Sequence, residues 1–203
     1  MALAELELAD YRRRVAAAYA RARDAGSGEA GWGAWRAERD ELFTTHPQTP
    51  VPPARRPSFE GMAFFEHDPA ARHVVEVEPL DGPAAPLAMP HSGEGSTTLR
   101  PVARVRLAGG QLVLYWLEAY GGGLFLPFRD ATSGAETYGG GRYLLDTVKG
   151  ADLGAEGDRL VLDLNYAYSP SCAHDPRWSC PLATPESRLD IAVRAGERTP
   201  HDE

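Results

Sequence analysis

The chain has 203 residues, 43% of them apolar and 25% charged, so it has the length and composition to bury a core as one domain. Acids outnumber bases 29 to 21, a net charge of -8, and no basic patch is present, which argues against nucleic acid as a partner. Glycine (21) and proline (17) are frequent, which favours turns over long helices.

No run of apolar residues is long enough to span a membrane, and the segment Met1–Glu5 lacks the basic and apolar regions of a secretory signal. These features predict a cytoplasmic protein with no membrane partner, in which two cysteines stay reduced.

Residues 3–25 predict an amphipathic helix. Leu8, Tyr11, Val15, Ala18, Tyr19 and Ala22 recur at the three-or-four spacing of one face, and Gly26 is the expected stop. A second helix is expected over Glu29–Phe43, anchored by Trp32, Trp35, Leu42 and Phe43. His46–Pro53 carries four prolines and cannot be helical. It predicts a strap along the surface.

From residue 57 the pattern becomes that of strands: Phe59–Glu66, Arg72–Glu78, Val102–Leu107, Gln111–Tyr120, Leu124–Phe128, Tyr143–Val148, Arg159–Leu164 and Leu189–Val193. Gly82–Gly95 is expected to be a turn-rich loop. Leu112–Leu117 is apolar on both faces, so that strand is expected to be buried on both sides. The expected class is mainly β (α+β): an antiparallel β-barrel or sandwich with one or two N-terminal helices packed on it. Residues 1–56 would form the helices and strap, 57–198 the β domain and 199–203 a tail, all in one globular unit.

Two segments carry more chemistry than a connection needs. The first, residues 127–143, holds Arg129, Asp130, Thr132, Glu136, Thr137, Tyr138, Arg142 and Tyr143 among four glycines. Its triple glycine, 139–141, could offer backbone N–H groups to an anion, but it matches neither the P-loop nor the dinucleotide fingerprint. No cofactor is implied.

The second segment, residues 163–181, holds Asp163, Asn165, Tyr166, Tyr168 and both cysteines of the chain, Cys172 and Cys180, with His174 between them. Four readings of the thiols compete: buried free cysteines, a disulfide, a zinc site with His174, and a reactive thiol. The Cys-x-His-x5-Cys spacing fits no standard zinc site, so no metal is assigned. His46, His67, His73, His91 and His201 read as surface histidines.

Several stretches resemble the domain of unknown function 1684 family of bacterial and archaeal proteins. They are Trp35-Arg36, His46–Pro50, Phe59–Phe65, Leu126–Gly134, Glu136–Tyr143, Asp163–Pro170, Cys172-Ala173, Cys180–Leu182 and Ala195–Glu197. The resemblance spans residues 32–198 and implies a mainly β domain, but no reaction. Leu164, Ser169 and His174 depart from the family's pattern. An aromatic residue is more usual at 174, which weakens His174 as an essential ligand or base.

Two functions follow. In the first, a small polar or anionic molecule binds where the two segments meet. Arg129 and Arg142 would supply cationic forks, Gly140 and its neighbours backbone donors, and Tyr138, Tyr143 and Tyr168 aromatic walls, with Thr132 and Asn165 as polar contacts. Glu136 or Asp130 would act as general base in a hydrolase or lyase, and Cys172 and Cys180 form a possible thiol site. In the alternative, a non-catalytic binding or structural module, the same loop pairs with itself and encloses no cavity. Nothing in the sequence fixes an oligomeric state.

Overall fold

The computed structural model describes residues 3–26, 28–118 and 120–200. Two helices, α1 (Ala4–Ala25) and α2 (Glu29–Thr45), lead into the β region. Helix α1 carries Glu5 and Glu7 in its first turn and Arg23 in its last, which complements the helix dipole. Gly26 ends it with a φ of 72°, a conformation that favours glycine. The predicted face is the one that packs: Tyr11, Val15, Ala18, Tyr19 and Ala22 are buried. Helix α2 buries Trp32, Trp35, Leu42 and Phe43 and, with them, Arg39. Tyr19 meets Trp35 edge-on at 5.5 Å and joins the two helices.

The proline strap is pinned down. The Thr49 hydroxyl donates to the Phe43 carbonyl at 2.6 Å and accepts from the Val51 N–H at 3.2 Å. Thr49 and Val51 are both buried.

Nine strands follow: β1 (Arg72–Val75), β2 (Glu78–Pro79), β3 (Leu87–Pro90), β4 (Ser96–Leu107), β5 (Gly110–Leu117), β6 (Leu124–Phe128), β7 (Arg142–Asp146), β8 (Ala155–Glu156) and β9 (Arg159–Asp163). They form two open antiparallel sheets. One has the order β1-β9-β8. The other has the order β2-β4-β5-β6-β7, with β3 also paired to β4. Of the two expected architectures the sandwich is the one that forms, and neither sheet closes into a barrel. The β4–β5 hairpin aligns Leu99 with Leu117 and Val105 with Leu112, with a register shift between Pro101 and Ala103, where proline lacks the N–H a regular ladder needs.

Several predicted strand boundaries move. Arg72–Glu78 splits, its first half in the small sheet and Glu78 in the large one, so the chain turns a corner there. The expected loop 82–95 contains β3, because Leu87–Pro90 pairs with the extended start of β4. Phe59–Glu66 and Leu189–Val193 are not strands. Phe64 makes one bridge to Glu197, and Arg188 makes one parallel bridge to Arg129. These segments satisfy their backbone through isolated bonds and side chains rather than through a ladder. Of the expected tail, 201–203 lie outside the described residues, His201 among them.

Two core clusters share the large sheet. Helices and strap pack on one face around Tyr19, Trp35, Phe43, Leu99, Tyr115 and Tyr143. The other face meets the small sheet through Val105, Leu112, Leu114, Leu126, Phe128 and Leu162. Strand β5 therefore points Val113 and Tyr115 one way and Leu112 and Leu114 the other, the double burial its sequence predicts. That burial ends at Trp116, which is exposed.

Leu112→Ala should cost about 2–5 kcal/mol in chemical denaturation, the range for a cavity left in a packed core. Tyr19→Phe should behave oppositely. The Tyr19 hydroxyl is buried without a hydrogen-bond partner. Its removal should leave stability unchanged or raise it by up to about 1 kcal/mol.

Candidate functional site

The loop 127–143 is organised by Asp130 and Arg142. One Asp130 carboxylate oxygen, Oδ1, accepts from the Thr132 N–H at 2.7 Å, the Thr132 hydroxyl at 2.6 Å and the Val193 N–H at 3.2 Å. The other, Oδ2, accepts from Arg142 Nη2 at 2.9 Å. Arg142 is 1% exposed. It donates further to the carbonyls of Val193 at 3.0 Å and Glu197 at 3.2 Å, and to that of Ala195. Burial lowers the Arg142 pKa, against the pull of Asp130, but a guanidinium stays charged regardless. Arg142 is thus the post around which residues 193–197 are wound.

The remaining loop residues pack into the same closed structure. Thr132 and Thr137 are buried, with their hydroxyls 2.9 Å apart. Gly141 has a φ of 97°, and a Cβ there would lie 2.7 Å from the Phe128 carbonyl oxygen. A Cβ on Gly140 would lie 2.3 Å from the Tyr138 ring. The glycines therefore allow close packing. Glu136 sits apart on the surface, paired with Arg194 at 2.9 Å, and that hydrogen bond lowers its pKa. Arg129 joins the C-terminal segment through its backbone, the N–H donating to the Ser187 carbonyl at 2.8 Å.

The two loaded segments do meet, at Tyr143 and Tyr168. The Tyr143 N–H donates to the Tyr168 carbonyl at 2.9 Å. The Tyr168 hydroxyl donates to Asp146 at 2.7 Å, and the Tyr143 hydroxyl donates to the Pro181 carbonyl. Asn165 faces elsewhere. Its amide brackets the Asp68 backbone, accepting from the N–H at 3.0 Å and donating to the carbonyl at 2.8 Å.

Sequence reasoning missed a second buried charge pair. Arg39 binds the Glu197 carboxylate, whose other oxygen accepts from the Ser169 N–H at 2.7 Å. Burial opposes the Arg39 charge, yet the Glu197 carboxylate holds its pKa above the ordinary value. The signal was present: positions 32, 35, 39, 42 and 43 all fall on the buried face of α2, so Arg39 occupies a core position.

Two cavities flank this core. One, about 450 Å³, opens between α1, the strap, the large sheet and the loop 171–181. Leu99, Leu117, Phe125 and Tyr143, from four neighbouring strands, form its apolar wall, and Arg12, Lys149 and Cys180 also line it. Lys149 lies 3.6 Å from Asp146 and 5.0 Å from the centre of the Tyr168 ring. The other cavity, about 490 Å³, lies between the strap and residues 58–63. It is lined in part by His174, whose Nε2 is buried without a partner and whose ring meets Phe43 edge-on at 5.2 Å. Burial, with the nearby charges of Arg39, Lys149 and Arg55, pushes the His174 pKa down to about 3.

Cys172 and Cys180 are free, half-buried thiols. The Tyr138 hydroxyl lies 3.7 Å from the Cys172 sulfur. Among the described residues no cluster of three or more His, Cys, Asp or Glu is placed to hold a metal ion. No helix among them is long and apolar enough to cross a membrane.

The fold and its buried charges define an α+β sandwich whose C-terminal segment is clamped by two ion pairs. Residues 57–198 match the family model described as protein of unknown function (DUF1684), and the chain belongs to that family. A similar solved structure is the solution NMR structure of the uncharacterized protein from gene locus rrnAC0354 of Haloarcula marismortui. It is 34% identical, with a TM-score of 0.59, over 84% of this chain and 93% of that one. No curated protein matches the chain.

Arg142→Ala should cost about 3–5 kcal/mol, because it strands Asp130 in the core. Glu136→Gln, on the surface, should leave the denaturation midpoint unchanged. The depressed His174 pKa sets a pH dependence. Between about pH 6.5 and pH 3 the unfolded chain binds a proton that the folded chain refuses. Stability therefore falls as pH drops through that window, by up to about 1.4 kcal/mol per pH unit from this residue. His174→Phe should make the fall shallower, read from urea midpoints at pH 7, 5 and 4.

Proposed function

We propose that this protein is a binding module for a small amphipathic molecule with an apolar body and an anionic end, held in the 450 Å³ cleft. The observation that carries the reading is the cleft itself: an apolar wall from four adjacent strands with Lys149 and Arg12 beside it. A volume of that size suits a compact small ligand. Arg12 is exposed and has no ion pair among the described residues. Lys149 is partly neutralised by Asp146, so it offers a hydrogen bond more than a full charge.

The glycine-rich loop is assigned the structural role in this reading. The Asp130 carboxylate and four of the five N–H donors of Arg142 are engaged by the chain itself, and neither residue lines the cleft. Glu136, salt-bridged on the surface, lacks the desolvated setting of a general base. Tyr143 is the sequence-predicted residue that reaches the cleft from this loop, and Cys180 reaches it from the other.

Decanoate, decanol and inorganic phosphate, each titrated against the protein in a thermal-shift assay, separate the possibilities. Decanoate should raise the melting temperature more than decanol, by mass action on the folded state. Leu117→Trp, which fills the cleft, should abolish the shift, and Lys149→Gln should weaken decanoate roughly tenfold, the value of one charge-assisted hydrogen bond. A shift with phosphate alone would favour the polar-anion reading at the glycine loop. A decanoate shift that survives Leu117→Trp would place binding elsewhere.

A further inference from the structure

The cleft has a second polar end, built on the turn between β3 and β4. The backbone N–H of His91 closes that turn by donating to the Gly95 carbonyl at 3.2 Å. The loop 171–181 docks on it. The Ser92 N–H donates to the Cys180 carbonyl at 2.9 Å, and the Leu182 N–H donates to the Pro90 carbonyl at 3.0 Å. The docking brings Ser179 to the His91 ring, whose Nδ1 lies 3.0 Å from the Ser179 hydroxyl and whose Nε2 lies 2.7 Å from the Thr97 hydroxyl. His91, Thr97 and Ser179 all line the cleft.

The network assigns its own hydrogens. The Ser179 hydroxyl donates to the Glu94 carbonyl at 2.9 Å. Its single hydrogen is thereby used, so it accepts from the ring, and His91 Nδ1 carries the hydrogen. In the neutral ring Nε2 is then an acceptor, and the Thr97 hydroxyl donates to it. Thr97 has no second hydrogen to offer, but its oxygen keeps acceptor capacity. Among the described residues no other hydrogen bond reaches that oxygen. Thr97 therefore presents the cleft with an acceptor. A ligand hydroxyl can donate to it, whereas a carboxylate, which only accepts, finds no donor there.

The sheet sets where this acceptor stands. Thr97 precedes Leu99 by two residues in β4, so both side chains lie on one face. Leu99 begins the apolar wall, which continues through Leu117, opposite it in β5, and Phe125 in β6. Asp146, opposite Phe125 in β7, holds Lys149 at 3.6 Å. Thr97 and Lys149 thus lie at opposite ends of the wall, separated across the sheet by the three strand spacings from β4 to β7, about 14 Å. We propose that the cleft's ligand is polar at both ends: a chain carboxylate bearing a hydroxyl at its far end, with the carboxylate at Lys149 and the hydroxyl donating to Thr97. This rests on the cleft being the ligand site and adds the class of molecule that fills it. Thr97 is the residue that meets the ligand. His91 is a positioning residue that fixes the direction of the Thr97 hydrogen.

Calorimetric titration of the full chain with decanoate, its terminal hydroxy acid and the matching diacid, and with the same three compounds built on dodecanoate, tests the assignment. At one of the two lengths at least, the hydroxy acid should bind about three- to tenfold more tightly than the plain acid, the range of one net hydrogen bond. It should also bind more tightly than the diacid. Thr97→Val keeps the side chain's shape and removes the acceptor. It should erase the preference for the hydroxy acid and leave the affinity for the plain acid unchanged. His91→Phe frees the Thr97 hydrogen and should narrow the preference for the hydroxy acid over the diacid. Lys149→Gln should weaken every acid and leave the hydroxyl preference in place. Equal binding of hydroxy and plain acids, tighter binding of the diacid, or a preference that survives Thr97→Val would overturn the proposal while the cleft remains a ligand site. Binding of none of the six compounds would overturn both. Should Thr97→Val fold poorly by circular dichroism, the ranking of the three acids on the wild type decides alone.

Discussion

The structure depends on a carboxylate that has no access to water. Glu197 is 0% exposed, and an isolated ionised carboxylate in such a place is untenable. Arg39 from α2 and the backbone N–H of Ser169 make it tenable. Because the three groups come from the N-terminal helix pair, the 163–181 segment and the C-terminal segment, the ion pair can form only when all three have arrived. Buried pairs of this kind contribute little net stability against an apolar substitute, but they tolerate few alternative arrangements. Arg142 does the same work one layer away by gripping three carbonyls of the C-terminal segment. Residues 193–198 therefore act as a plug between the helices and the sheets, although they form no strand or helix.

The plug determines where open space is left. It packs under the glycine-rich loop, where Arg142 holds its carbonyls. The cleft lies between the strap and α1 on one side and strands β4 to β7 of the large sheet on the other. Tyr143 spans the two regions: its N–H pairs with Tyr168 on the clamped side, and its ring forms part of the cleft wall. The loop 171–181, which carries both cysteines, lines the cleft through Ser171, Trp178 and Cys180.

Much of this was legible in the sequence where periodicity carries the signal. The buried face of α1 and the double burial of β5 follow directly from apolar spacing. Irregular segments were harder to read. Phe59–Glu66 and Leu189–Val193 look like strands because each is a short run rich in apolar residues. Their backbone groups are instead satisfied by single bridges and by Arg142 and Asp130, and no local pattern records such long-range partners. The candidate site shows the same limit. Arg142, Asp130 and Thr132 were visible as a polar cluster, but a buried structural network and a ligand site use the same residue types. Arg39 was overlooked because a charged residue on a helix is ordinarily a surface residue; only its place in the 35–39–42 spacing betrays it.

Native-state hydrogen exchange of the backbone amides of Val193, Ser169 and Glu197 tests the clamp most directly. Each donates into the charge network or across the plug, to Asp130, to the Glu197 carboxylate and to the Ala167 carbonyl respectively. If the plug forms with the core, these amides exchange only through global unfolding, with the same free energy as those of Val113 and Leu114 in β5. If they exchange through local fraying, well before the β5 amides, the C-terminal segment is an appendage and the buried ion pairs do not hold the fold together.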